Sequence, residues 1–276
     1  GAMPRTDRLG ITVSLVVTGL LLAILAPLPS YEVPLLVLGS DLTLRFSGTV
    51  QLAILIVGLV WTGVDAIMRT HPLIHGRSLP YRFTFLVLPT VLAMAGLAVL
   101  TNLPWWGYQI VVILGTGAAL TVAIVCEYRT IDPQVPRHRP ARLLLNAAVY
   151  FAALVALAAI YASRARSVLS ATGVLGTTAI LALELLRVEG NQTVRTWLYA
   201  GITGILMAEL TWALNYCAID ARVGGAALLL AFYAITGLAQ QHLWGRLTRR
   251  VVLEFGVVGL AGLLLLAGYH TWLPGE

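Results

Sequence analysis

Apolar segments about as long as a bilayer is thick recur from one end of the chain to the other. No other feature of the sequence restricts the fold as much. A spanning helix needs about 20 mostly apolar residues. Segments of that kind fall at about 9–28, 50–68, 83–101, 107–126, 143–162, 168–186, 196–216, 225–244 and 251–269. Only 11% of residues are charged, against 59% hydrophobic. A soluble domain carries roughly 25% charged residues, so these side chains cannot furnish a water-exposed surface. The expected fold class is all-α: a polytopic transmembrane helix bundle of about nine spans, forming a single integral membrane domain over residues 1–276.

The loops test that count. All eighteen cationic residues are arginine. With the N-terminus inside, four of them (Arg45, Arg164, Arg166 and Arg222) fall in outer segments and fourteen in inner ones. A missed or merged helix would scramble the alternation, so the bias predicts an N-inside, C-outside protein of a bacterial-type inner (plasma) membrane. The formal charge of +6 is thereby explained by topology, and no nucleic-acid partner is expected. Membrane lipids are the expected partners. Cys126 and Cys217 fall on opposite sides in this topology, too far apart to pair. Neither belongs to a C-x-x-C motif. Gly1-Ala2 before Met3 reads as the remnant of a cleaved tag, and the first apolar segment is expected to stay attached as a membrane helix.

The longest outer segment is patterned. Leu42, Leu44 and Phe46 alternate with Thr43, Arg45 and Ser47, and Gly39-Ser40 suits a tight turn. This predicts a short β-hairpin near residues 33–47 across the outer mouth, with Pro34 restricted to an edge.

Glu209 falls within about a turn of the middle of the seventh predicted span, slightly toward the outside. A carboxylate there costs several kcal/mol unless protonated, hydrated or paired. Offsets of three and seven put Trp212 and Tyr216 on its face of the helix, and Asn215 is displaced round the helix near the same end. One reading is a pocket with an ionisable group and aromatic walls. The other is a protonated carboxyl bonded to a neighbouring helix. Arg164 and Arg166 run against the positive-inside trend and precede the start of the sixth helix, where free N–H groups favour a lipid phosphate or an anionic solute. The blander reading, a tight helix hairpin with solvated ends, explains them better.

At the inner ends lie four carboxylates: Asp65, Glu127, Glu184 and Glu254. Asp65 has Arg69 four residues on, Glu184 has Arg187 three on, and Glu254 has Arg250 four back, spacings that suit local ion pairs. The sharper reading is a cytoplasmic site for Mg²⁺ and a phosphate, with His71 and Arg142 assisting, since such sites need only one or two carboxylates plus phosphate oxygens. No resident metal or cofactor is expected. The H-E-x-x-H, G-x-S-x-G and P-loop patterns are all absent. Pro89 is expected to kink the third helix. Asn146, Tyr150 and Gln240 are expected to form interhelical hydrogen bonds. Gly201, Gly204, Gly256, Gly259 and Gly262 are expected to permit close helix packing.

Two resemblances attach to these residues. Nine helices with the N-terminus inside is similar to the layout of intramembrane aromatic prenyltransferases, which hold Mg²⁺ and a diphosphate on aspartate-rich motifs after the second and sixth helices. The corresponding stretches here, Asp65-Ala-Ile-Met-Arg69-Thr-His71 and Glu184-Leu-Leu-Arg187-Val-Glu189, lack the clustered aspartates. The likeness is therefore one of topology. The stretches Arg69-Thr-His71-Pro72, Leu183-Glu184-Leu-Leu-Arg187 and Glu209-Leu-Thr-Trp212-Ala-Leu-Asn215-Tyr216 resemble a family of uncharacterised bacterial membrane proteins, which implies a membrane bundle and no activity.

Three functions remain open at this stage. The first is a membrane-embedded binding or transport protein for a small amphipathic or anionic ligand, lipid included, using Glu209, Trp212, Asn215, Tyr216, Arg164 and Arg166. The second is a cytoplasmic-face lipid-modifying enzyme using Asp65, Arg69, His71, Glu127, Arg142, Glu184, Arg187 and Glu254. The third is a membrane scaffold without a ligand.

Overall fold

The computed structural model describes residues 4–26, 29–37, 40–74, 79–101, 103–132, 138–162, 167–187, 193–216 and 219–272. Arg164, Arg166, Cys217, Gly39 of the expected turn, and Glu189 lie outside them, as do Arg77 and Arg137 of the inner segments. The helices are α1 (Thr6–Leu25), α2 (Gly48–Met68), α3 (Leu79–Thr101), α4 (Trp106–Thr130), α5 (His138–Ala162), α6 (Ser167–Leu185), α7 (Thr193–Asn215), α8 (Ala221–Leu243) and α9 (Arg249–Trp272). Strands β1 (Tyr31–Val37) and β2 (Ser40–Phe46) pair antiparallel between α1 and α2, in a register running from Tyr31↔Phe46 to Val37↔Ser40. Pro34 stands opposite Thr43, and a two-stranded sheet leaves every residue on an edge, where a missing N–H is tolerated.

Among the described residues, seven helices, α1 to α5 with α7 and α8, are long and apolar enough to cross a membrane. The stretch of α6 described in full is Ser170–Leu185, and α9 opens on Arg249, Arg250 and Glu254. The protein is a polytopic all-α membrane bundle of about seven to nine apolar spans.

Local chemistry moves several helix ends from where apolar content alone places them. α1 stops at Leu25, and Ala26 is extended at φ −121, ψ 102. The ring of Pro27 disfavours a helical conformation in the residue before it. α4 continues past Cys126 to Thr130. α5 starts at His138 rather than 143, taking Pro140 into its first turn, where the absent N–H has no partner to lose. Ser47 caps α2 by accepting from the Val50 N–H at 3.3 Å, a contact typical of helix starts. α3 runs unbroken through Pro89.

Helix contacts divide the chain into two compact units, Gly1–Leu145 and Asn146–Glu276. In the first, α1 packs on α2, α3 and α4, while α2 packs on α3 and α3 on α4. The core side of α2 is a row spaced by four: Leu52, Ile56, Val60, Val64 and Met68, all buried. Where apolar surface meets apolar lipid there is little hydrophobic drive, so close backbone approach through small residues holds helices together. Gly63 makes such an approach, since a Cβ there would lie 2.3 Å from Thr12 Cγ2. Gly96 does the same against Thr116, with 2.4 Å to Oγ1.

In the second unit, α6 and α7 make the most extensive contact, α7 packs on α8, and α8 packs on α9. Gly204 faces the Leu175 carbonyl at 2.8 Å, Gly225 faces Ala158, and Gly262 faces Leu230. Gly201, Gly256 and Gly259, expected as packing points, instead face open space within 4 Å; sequence spacing does not say which glycine of a helix meets a neighbour.

Polar groups in the spans are satisfied locally. Thr12, Thr90, Thr116, Thr178, Thr211 and Thr236 each donate to the carbonyl four residues back, which suits hydroxyls removed from water. Large apolar side chains are widespread on the outer surface: Ile11, Val111, Phe151 and Leu265 are all well exposed. Such a surface is stable only against hydrocarbon.

Candidate functional site

The α7 residues are the sharpest expectation from sequence, and the structure separates them. Glu209, Trp212 and Tyr216 all lie on an exposed face of the helix. Asn215 lies about 120° round the helix from Glu209, and its Nδ2 donates to Ser170 Oγ of α6 at 2.9 Å. Asn215 therefore ties α7 to α6, while the carboxyl and the two aromatic rings point outward.

The residues of the alternative site fall into separate clusters. In the first unit, consecutive antiparallel helices bring the start of α1, the end of α2, the start of α3 and the end of α4 to one end. Asp65 is held there by two guanidinium groups: Arg69 at 2.6 Å, four residues on, and Arg82 from α3. Arg8 Nη1 donates to the Ala66 carbonyl at 3.0 Å, tying α1 to the same end. Glu127 is fully buried. Beside it in sequence, the Tyr128 ring meets the buried His71 edge-on at 4.9 Å. His71 Nδ1 accepts from the Leu73 N–H at 3.3 Å, leaving the other ring nitrogen to carry the proton of a neutral imidazole. Burial holds the His71 pKa below its ordinary 6.5, and the Asp132 carboxylate opposes that shift. Arg142, on the first turns of α5, is half-buried and engaged.

In the second unit, Glu184 and Arg187 form a buried ion pair at 3.1 Å. Around that helix end, Gln240 Nε2 donates to the Leu185 carbonyl at 3.3 Å and Thr196 Oγ1 to the Leu186 carbonyl at 3.4 Å. Glu254 meets Arg250 at 3.2 Å in a pair open to the surroundings. Asp65, Glu184 and Glu254 are each committed to arginine. Among the described residues, no three His, Cys, Asp or Glu side chains converge as a metal site requires.

A further site was not expected from the sequence. α5, α8 and α9 line an open groove of about 450 Å³, walled by Tyr150, Ala226, Leu229, Leu230, Tyr233, Gly262, Leu265 and Leu266. Its walls are hydrocarbon apart from two phenol rings. The Tyr150 hydroxyl hydrogen-bonds with Thr236 Oγ1 at 3.2 Å, and its ring packs on Phe232 and Tyr233. Tyr233 in turn packs on Phe255 of α9. A Cβ at Gly262 would lie 2.5 Å from Leu230 Cδ2, so the glycine lets α9 approach α8 beside the cavity. The sequence signal for this site is faint: two tyrosines well inside their spans rather than at the ends, where amphipathic rings usually concentrate. A wall of this composition suits apolar groups better than charged ones.

No curated protein and no solved structure matches the chain. A family model described as a protein of unknown function, DUF5656, matches residues 28–268, and the chain belongs to that family.

Proposed function

We propose that this protein is a membrane-embedded binding protein for an amphipathic, lipid-like ligand whose hydrocarbon part lies in the groove between α5, α8 and α9. The groove carries the reading. Its volume of about 450 Å³ falls within the roughly 300–1,000 Å³ usual for small-molecule sites, and like them it is mostly apolar. Its side opening offers an entry from the bilayer, and the Tyr150 and Tyr233 hydroxyls are the polar groups nearest a bound chain. In this reading the whole chain works as one integral domain of a bacterial plasma membrane, N-terminus inside, and the arginine-held carboxylates brace its helix ends. A ligand role for Glu209, Trp212 and Tyr216 rests on the exposed α7 face alone, Asn215 being turned to Ser170, and has less support than the groove. A metal-dependent reaction at Asp65 or Glu184 has less again, because each carboxylate is already held by arginine.

Native mass spectrometry of protein extracted in mild detergent tests the proposal. The parent chain retains a lipid-mass adduct. Ala226→Phe, which fills the groove, loses it, while Leu260→Phe on the exposed side of α9 keeps it. An Ala226→Phe variant with the parent's adduct at the parent's stoichiometry refutes the reading.

A further inference from the structure

The two phenols of the groove stand at the depth of the bilayer centre. Tyr150 is the middle residue of the apolar span Arg139–Tyr161, and Tyr233 is the middle residue of Val223–Leu243. A hydrocarbon core is about 30 Å thick, which puts both rings roughly 15 Å from either headgroup layer. Their hydroxyls differ in what remains free. Thr236 Oγ1 donates its one proton to the Phe232 carbonyl at 2.6 Å. The 3.2 Å contact between Tyr150 and Thr236 therefore carries the Tyr150 proton, because a hydroxyl has a single one to give. Tyr233 is 39% exposed, and its ring packs on Tyr150 and Phe255. Among the described residues its hydroxyl has no hydrogen-bond partner. The other lining residues are alanine, leucine and glycine, so the Tyr233 O–H is the one uncommitted side-chain donor of the groove.

A donor in hydrocarbon is costly until an acceptor meets it. A diacyl phospholipid brings none to this depth, since its ester oxygens stay at the interface and only its chain ends reach the centre. A charged head is kept out by its own desolvation. An alcohol adds a second proton that needs an acceptor of its own, whereas a carbonyl oxygen brings lone pairs alone. A flat head also suits a wall whose two rings already pack against each other. On the reading that the groove is the ligand site, we propose that its ligand is an uncharged lipid with a carbonyl-bearing head of the quinone class. The carbonyl oxygen accepts the Tyr233 O–H at the middle of the bilayer, and the hydrocarbon tail lies along the leucines of α8 and α9.

The test is binding of tritiated decylbenzoquinone to the full chain in mild detergent, read by scintillation proximity. The parent binds it saturably. Decylbenzene, which has a ring and the same chain but no oxygen, displaces it only at about tenfold higher concentration than unlabelled quinone does, the scale of one hydrogen bond. Tyr233→Phe keeps the ring and loses the donor, so it binds the quinone about tenfold more weakly and no longer distinguishes the two probes. No saturable binding by the parent overturns the proposal. So does equal displacement by the two probes in the parent, or a Tyr233→Phe protein with the parent's quinone affinity. The comparison of probes uses the parent alone, so the answer does not depend on how the variant folds. These results leave the groove standing as a lipid site where Ala226→Phe still loses the lipid-mass adduct. An Ala226→Phe chain that keeps both the adduct and the quinone refutes the groove, and the carbonyl site with it.

Discussion

Replacing Asp65 with asparagine removes the one charge that two guanidinium groups share. The Arg69 contact is 2.6 Å, and the Arg82 contact joins α3 to α2. At about 3 Å and an effective dielectric of about 20, each attraction is on the order of 5 kcal/mol before desolvation is counted. Most of that is offset by the cost of withdrawing the ions from water. The remainder appears when one partner is lost, because Arg82, only 20% exposed, stays behind. Removing one partner of a fully buried pair costs about 3–5 kcal/mol. Asp65 is 24% exposed, which lowers the expectation to about 2–4 kcal/mol. Glu254 is the internal control: it pairs with an arginine at the same four-residue spacing, 3.2 Å apart, but the two side chains are 62% and 89% exposed, so Glu254→Gln should cost less than about 1 kcal/mol. Denaturant titration of both variants in one detergent, followed by tryptophan fluorescence, gives the comparison. Asp65→Asn within about 0.5 kcal/mol of the parent, or a Glu254→Gln cost as large as that of Asp65→Asn, refutes the reasoning.

Two further perturbations follow from the packing. His71 is buried with a lowered pKa, so the unfolded chain takes up its proton first as pH falls. Its stabilisation is complete above about 6.5, the unfolded value, and is lost below that as pH descends towards the lower folded value. A melting temperature that declines below about pH 6.5 in the parent should decline less steeply in His71→Asn, which keeps an acceptor for the Leu73 N–H; identical slopes contradict the assignment. Gly63→Val drives a side chain into Thr12, 2.3 Å from where the new Cβ would sit, at a cost of about 1–3 kcal/mol. Gly58→Ala, with nothing within 4 Å, should instead leave stability unchanged or raise it by up to about 1 kcal/mol. Chemical denaturation of the pair checks both signs.

The spans were legible because their signal is local: a run of apolar residues of bilayer length needs no knowledge of neighbours. Helix ends were less so, although Pro27 accounts for the early stop of α1 once the restriction on Ala26 is considered. Burial was not legible at all. Glu127 reads from sequence like the other carboxylates at span ends, yet it is enclosed because α4 runs on to Thr130, and only packing decides that. Glu209, Trp212 and Tyr216 share a face, as their spacing implies, but spacing cannot say whether that face meets a pocket, a neighbour or the surroundings. The groove escaped for a related reason. Tyr150, Leu230 and Gly262 come from three helices, each unremarkable alone, and the cavity arises only where α9 closes on α8.

A phospholipid carrying a photoreactive diazirine midway along one acyl chain, reconstituted with the protein and mapped by peptide mass spectrometry, tests the groove most directly. Labelling should concentrate on the α8 residues from Ala226 to Tyr233 and the α9 residues from Gly262 to Leu266 that line it, and Ala226→Phe should abolish that concentration. Labels spread over the bundle in proportion to exposure, as heavy at Ile11 and Val111 as at Leu229, would mean that the groove holds no chain of its own.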